Sequence, residues 1–130
     1  MKYYLGIDIG TFESKAALVD TEGNIVATAA HPHKMQVPQP GWAEHNAETD
    51  WWGDFKQLSR KVIADSNINP KDIRAVGASA IGPCMLPVDR SGNPLMNGVL
   101  YGVDTRAAKE IDQLTDEIGA DTILAATGNA

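Results

Sequence analysis

A single charge, Asp8, interrupts the otherwise apolar, β-prone run Tyr3–Ile9, and Gly10-Thr11 opens a short polar segment directly after it. A second apolar run, Ser14–Asp20, follows at once. Two β-prone runs this close together leave room only for a tight hairpin, and a charge near the end of the first needs a partner or a task. Gly10 can take positive φ and leaves its backbone bare. The N–H groups of Gly10, Thr11 and Phe12 would then line a concavity suited to an anion. The hydroxyls of Thr11 and Ser14 and the ammonium of Lys15 add to it, and the Asp8 carboxylate is placed to hold a hydrated Mg²⁺ directly or through water. Together these groups suit a nucleotide phosphate with its metal. The same residues also suit an ordinary Gly-Thr hairpin turn with no ligand.

The remaining elements follow from turn and periodicity signals. Thr21-Glu22-Gly23-Asn24 is a turn, and Ile25–His31 a third strand that completes an antiparallel meander. His31 and His33 lack a recognised metal-ligand spacing with His45 and are expected on the surface at the strand end. After the proline-rich stretch from Pro32 to Gly41, Trp42 is expected to anchor the loop on the sheet edge, and Asn46 to cap a helix from about Ala47 to Asp65. Trp51, Phe55, Leu58, Val62 and Ile63 form its apolar face, with Trp52 off that stripe and packed on the neighbouring loop. Ile73–Ser79 is a strand that follows a helical crossover, so a parallel pairing is expected. Cys84–Asp89 reads as a fifth strand, with Cys84 a buried apolar residue and Asp89 a turn cap. Asp104 is expected to N-cap a helix over about 106–118 with Ala107, Ile111 and Leu114 inward, and Gly119 to stop it before a short helix over 122–126.

The segment from Gly6 to Asp20 resembles the opening phosphate loop of the actin-like ATPase superfamily, specifically that of the FGGY carbohydrate kinases. Gly41-Trp42-Ala43-Glu44-His45-Asn46 is similar to that family's Gly-Trp-x-Glu-x-(Asp/Asn) signature. Gly102–Ala107 is similar to its Trp-x-Asp-x-Arg segment: Asp104 and Arg106 match, while Gly102 stands at the tryptophan position with Tyr101 one residue earlier. The resemblance implies an α/β domain of ribonuclease-H-like (actin-like ATPase) fold. Its mixed sheet has about five strands, an antiparallel meander followed by a parallel strand, flanked by helices. It also implies an ATP-dependent kinase that uses Mg²⁺ and phosphorylates a hydroxyl of a pentulose or related sugar or polyol. Under it, residues 1–130 are the N-terminal domain, with the nucleotide-binding C-terminal domain and the catalytic aspartate lying beyond residue 130, so that the 130-residue chain alone is expected to be inactive. Phosphate binding falls to Gly10, Thr11, Ser14 and Lys15, metal binding to Asp8, and substrate contact to Ile81, Gly82, Tyr101, Asp104 and Arg106. Where xylulokinase-like and glycerol-kinase-like members carry Gln-Met-His or Gln-Arg-Glu, this chain has Ile81-Gly82-Pro83, which lacks side chains to hydrogen-bond sugar hydroxyls.

A formal net charge of −6 with no basic run argues against nucleic acid as a partner. The single Cys84 excludes an internal disulfide framework and suits a reducing compartment. Met1-Lys2 runs straight into a strand, and the apolar stretches are too short to span a bilayer, so the expected location is the cytoplasm, with no membrane partner. Two other readings remain open. One is a non-catalytic actin-like interaction module, associating through an apolar face as a homodimer or with the absent domain. The other is a ribonuclease-H-like nuclease, in which Asp8 would need further carboxylates around its metals.

Overall fold

The computed structural model describes residues 1–129. Its centre is a four-stranded sheet in the order β3-β2-β1-β5, built from β1 (Tyr3–Ile9), β2 (Glu13–Asp20), β3 (Ile25–Pro32) and β5 (Ile73–Ala80). β1 pairs antiparallel with β2 and parallel with β5, which is the expected meander plus one crossover strand. A separate two-stranded sheet joins β4 (Glu44–His45) to β6 (Gly98–Val99).

The expected fifth strand at 84–89 is absent from the main sheet. Met85 and Val88 make only isolated bridges, to Val99 and Pro94. Pro87, which has no amide to donate, and the turn that follows keep this segment from running as a ladder. That turn repeats an earlier one. Asp20 accepts from the backbone of Glu22 and Asn24, and Asp89 from that of Ser91 and Asn93. Each turn carries a glycine at positive φ, Gly23 at 85° and Gly92 at 84°, where a side chain would be strained.

Strand alternation divides the sheet into two unlike faces. Leu5, Ile7 and Ile9 of β1 and Ala16 and Leu18 of β2 are buried against Leu58 and Val62 of α1 (Trp52–Ser66), forming the core. The other face carries small residues, among them Gly6, Ala17, Thr28 and Gly77, together with Asp8 and Lys15. A concavity of about 940 Å³ lies along these strands.

One wide turn, Ala47–Trp51, leads into α1. Asn46 caps it as expected: its side-chain oxygen accepts from the amides of Glu48 and Thr49, at 3.0 and 3.1 Å, and Asp50 returns the bond to the Asn46 amide. Replacing Asn46 with Ala is expected to cost about 1 kcal/mol, measured by urea unfolding.

Several side chains depart from expectation. Trp52 is half exposed and stacks on Phe55 of its own helix rather than on the loop. Ile111, Leu114 and Ile118 of α2 (Ala108–Ile118) are about half exposed rather than inward, since α2 packs mainly on α3 (Ala120–Thr127). Cys84 is half-buried, and its sulfur accepts from the Tyr101 amide at 3.5 Å. No helix among the described residues is long and apolar enough to cross a membrane.

Candidate phosphate-binding site

The hairpin turn between β1 and β2 is built differently from the simple glycine turn expected. Gly10 is not at positive φ. Its N–H donates to the Glu13 carbonyl at 3.1 Å, and a Cβ would lie 2.7 Å from that oxygen, so glycine is required by close approach. The Gly10 amide is therefore occupied within the turn. Phe12 is 64% exposed, so its ring is not packed into the interior of the bend.

Asp8 is exposed, on the open face, and makes no hydrogen bond or ion pair among the described residues. Its register neighbours are Lys15 on β2 and Ser79 on β5, the latter not singled out from sequence. Lys15 reaches back to Glu13 of its own strand at 3.1 Å instead of to Asp8. Ser14 alternates to the other face and is fully buried; its hydroxyl lies near the Asp54 carboxyl but meets no partner in good geometry among the described residues, so it does not join Asp8 and Lys15. Its placement follows from the period of two, which puts Ser14 with Ala16 and Leu18 against α1.

Beneath the turn lies a polar cluster that corrects the expectation of surface histidines. The His33 and His45 side chains are buried; only His31 is substantially exposed. His31 and His33 direct Nδ1 at the two oxygens of Asp54, each at 2.8 Å. His33 Nε2 lies 2.8 Å from the Gly10 carbonyl, and its backbone N–H donates to the Phe12 carbonyl at 3.0 Å. Burial works to raise the Asp54 carboxyl. The Ser14 hydroxyl and the two imidazoles outweigh it, holding the group below its ordinary value and therefore ionised. Carboxylate and carbonyl oxygens only accept, so the His33 ring makes both of its bonds as the imidazolium.

His45 differs. The Trp51 indole N–H, which can only donate, lies 3.0 Å from His45 Nδ1, so the proton of the neutral ring resides on Nε2. Burial first, and then the neighbouring His33, push His45 below its usual value, in keeping with a neutral ring. The Thr11 carbonyl acts on His45 in the opposite sense, although Nε2 meets no partner in good geometry.

The signal for this cluster was present in the sequence. Asp54 falls on the apolar stripe, three residues after Trp51 and four before Leu58, and a spacing of two puts His31 and His33 on one side of an extended segment.

The second region forms at the C-terminal ends of β1 and β5. A cavity of about 240 Å³ is lined by Ile9, Trp51, Ala80, Ile81, Gly82 and Cys84. Gly82 sits against the Tyr101 ring, so these two candidate substrate contacts come together, with Ile81 alongside. Tyr101, Asp104 and Arg106 are not among the residues that line that cavity. Asp104 is not a helix cap: it accepts from the Ala43 amide at 2.7 Å and from the Arg106 backbone and guanidinium. Arg106 also binds Glu44 at 2.8 Å and lies 3.8 Å over the Trp42 ring. Trp42 packs on Arg106. Glu44 and Asp104 are committed to Arg106 rather than to Asp8, and no trio of metal-ligating side chains forms among the described residues. The carboxylate cluster of the nuclease reading is not assembled.

The sequence matches the family model for the N-terminal domain of the FGGY family of carbohydrate kinases over residues 3–130. The chain belongs to this family. Among curated FGGY-like relatives, it is 30% identical over 127 residues to a glycerol kinase of Thermococcus gammatolerans and 36% identical over 129 residues to one of Borrelia garinii subsp. bavariensis. Each alignment covers 98% of this chain and 25% of the relative, so the chain spans about a quarter of their length. Among solved structures, a xylulose kinase from Rhodospirillum rubrum superposes with a TM-score of 0.84 at 26% identity, covering 95% of this chain and 25% of that one. A xylulose kinase from Brucella ovis gives the same score at 28% identity, with 98% and 26% covered. The fold is thus the actin-like, ribonuclease-H-like α/β type of the FGGY kinases.

Proposed function

We propose that this chain is the N-terminal domain of an ATP-dependent carbohydrate kinase that transfers the γ-phosphate of ATP to a hydroxyl of a pentulose or related sugar or polyol. In this reading a nucleotide-binding domain and the catalytic base lie beyond residue 130. The observation that carries it is the Asp8 carboxylate, exposed and unpaired among the described residues, beside a turn whose Thr11 and Phe12 amides have no backbone acceptor there.

Phosphoryl transfer needs positioning and charge stabilisation more than covalent chemistry from the protein. Thr11 offers an amide and a hydroxyl to phosphate oxygens, and Lys15 a charge on the same face. Asp8 fits Mg²⁺, which takes hard oxygen ligands and uses one or two carboxylates plus water and phosphate rather than an all-protein cage. When bound, the metal neutralises charge on the phosphates being separated. Ser14 is left out of this set because of its burial. Ile81, Gly82 and Tyr101 would form one wall of the acceptor pocket, where the Gly82 backbone supplies polarity that the side chains lack. Asp104 and Arg106 would shape that region from behind. A sugar phosphorylated from cellular ATP, and a single unpaired Cys84, suit the cytoplasm. The exposed stripe of α2 suits contact with the second domain or a second copy.

The test is ATP-dependent phosphorylation by the full-length protein across a panel of pentuloses and polyols. Turnover is expected with at least one acceptor, and none from the 130-residue chain alone. Turnover by the isolated chain would overturn this reading.

A further inference from the structure

Buried His33 contacts the turn through its carbonyls, and in a trans peptide this fixes where the following amide points. The C=O of one residue and the N–H of the next belong to one rigid plane and face opposite ways. No peptide among the described residues is cis. His33 Nε2, 2.8 Å from the Gly10 carbonyl, draws that oxygen inward and so turns the Thr11 N–H outward. Thr11 and Phe12 are the two turn amides with no acceptor in the backbone network, in contrast to Gly10, whose amide is spent on Glu13.

We propose that His33, clamped by Asp54 of α1, is a positioning residue that aims the Thr11 amide at the phosphate. The assignment rests on the phosphate-binding reading above and adds to it a residue outside the site. His33 touches no ligand; its side chain is 5% exposed beneath the turn. Asp54, at 2% side-chain exposure, fixes the ring and supplies the counter-charge for the imidazolium. Desolvated on the helix face, the carboxylate is costly to bury without such partners. Its position in an otherwise apolar stripe is explained if the turn must be held in one geometry. His31 occupies the other Asp54 oxygen from a more exposed position and does not reach the turn.

The experiment is nuclear magnetic resonance on the ¹⁵N-labelled chain, with Mg·ADP as the probe. In the parent, ring-nitrogen spectra are expected to show His33 protonated on both nitrogens and His45 on Nε2 alone. His33→Phe is expected to shift the Thr11 and Phe12 amide resonances and speed their hydrogen exchange, while His31→Ala leaves both unchanged. In the full-length protein, His33→Phe is expected to raise the KM for ATP about tenfold, the cost of one misdirected hydrogen bond to a charged group, with the acceptor KM unchanged. A His33 ring protonated on one nitrogen only, or a Thr11 amide unmoved in His33→Phe, overturns the inference. The ring-nitrogen measurement needs no variant to fold. If the parent amides ignore Mg·ADP and the full-length protein neither binds nor turns over ATP, the kinase reading fails with the purpose assigned to His33. The ring and amide data would still report separately whether His33 sets the turn.

Discussion

Asp8→Asn in the full-length protein is expected to lower kcat at least about a hundredfold, the scale seen when one group stabilising transition-state charge is removed. The domain's thermal midpoint is expected to stay within a degree or two of the parent's, because exposed substitutions away from packed features change stability by only about 0.5 kcal/mol. Asp8 has no partner among the described residues to lose. The two outcomes together are diagnostic. A structural charge at a strand end would give the opposite pattern, with lost stability and activity falling only in proportion. The substitution keeps shape and hydrogen-bonding capacity but removes the negative charge, so it isolates the electrostatic part of metal binding. Steady-state kinetics at several Mg²⁺ concentrations, alongside a thermal melt, measures both. Unchanged kcat at saturating Mg²⁺ would remove Asp8 from the site.

What could be read from the sequence divides along physical lines. The meander and the parallel strand were legible because alternation and crossover length act locally, and β1, β2, β3 and β5 lie where those patterns put them. The helix cap at Asn46 was legible for the same reason. A hydroxyl beside a glycine turn suggests a ligand contact at Ser14, but strand alternation assigns it to the face of Ala16 and Leu18. The cluster of His31, His33, His45 and Asp54 escaped because its members lie on separate elements and meet only after the sheet and α1 pack. Asp104 looked like a cap because an Asp before a helix usually is one. Its true acceptor role toward Ala43, 61 residues away in sequence, has no local signature. The segment 84–89 read as a strand because its residues favour extended backbone, yet a strand also requires a partner edge, which it finds only at isolated bridges.

Asp104→Ala is expected to destabilise the domain by about 3 kcal/mol, the range for breaking a buried ion pair by removing one partner. Asp104 has only 4% side-chain exposure, and it joins the 42–44 segment to Arg106 through the Ala43 amide and the guanidinium together. Without it, Arg106 keeps Glu44 and the Trp42 ring but loses the carboxylate that meets both its Nε and its Nη2, and the Ala43 amide is left without an acceptor. The pair also makes stability depend on acid. The Arg106 guanidinium lowers the Asp104 carboxyl from 3.8 to about 2, so the unfolded chain takes up its proton first as pH falls. The stabilisation is therefore complete above pH 3.8 and is lost as pH descends through about 2. Urea unfolding at neutral pH and at steps down to pH 2 should show the parent and the Asp104→Ala variant converging as the medium becomes more acidic. A gap that stays constant across that range would show that the carboxylate's charge contributes nothing, and would leave only its shape to explain why residues 42–44 stay joined to Arg106.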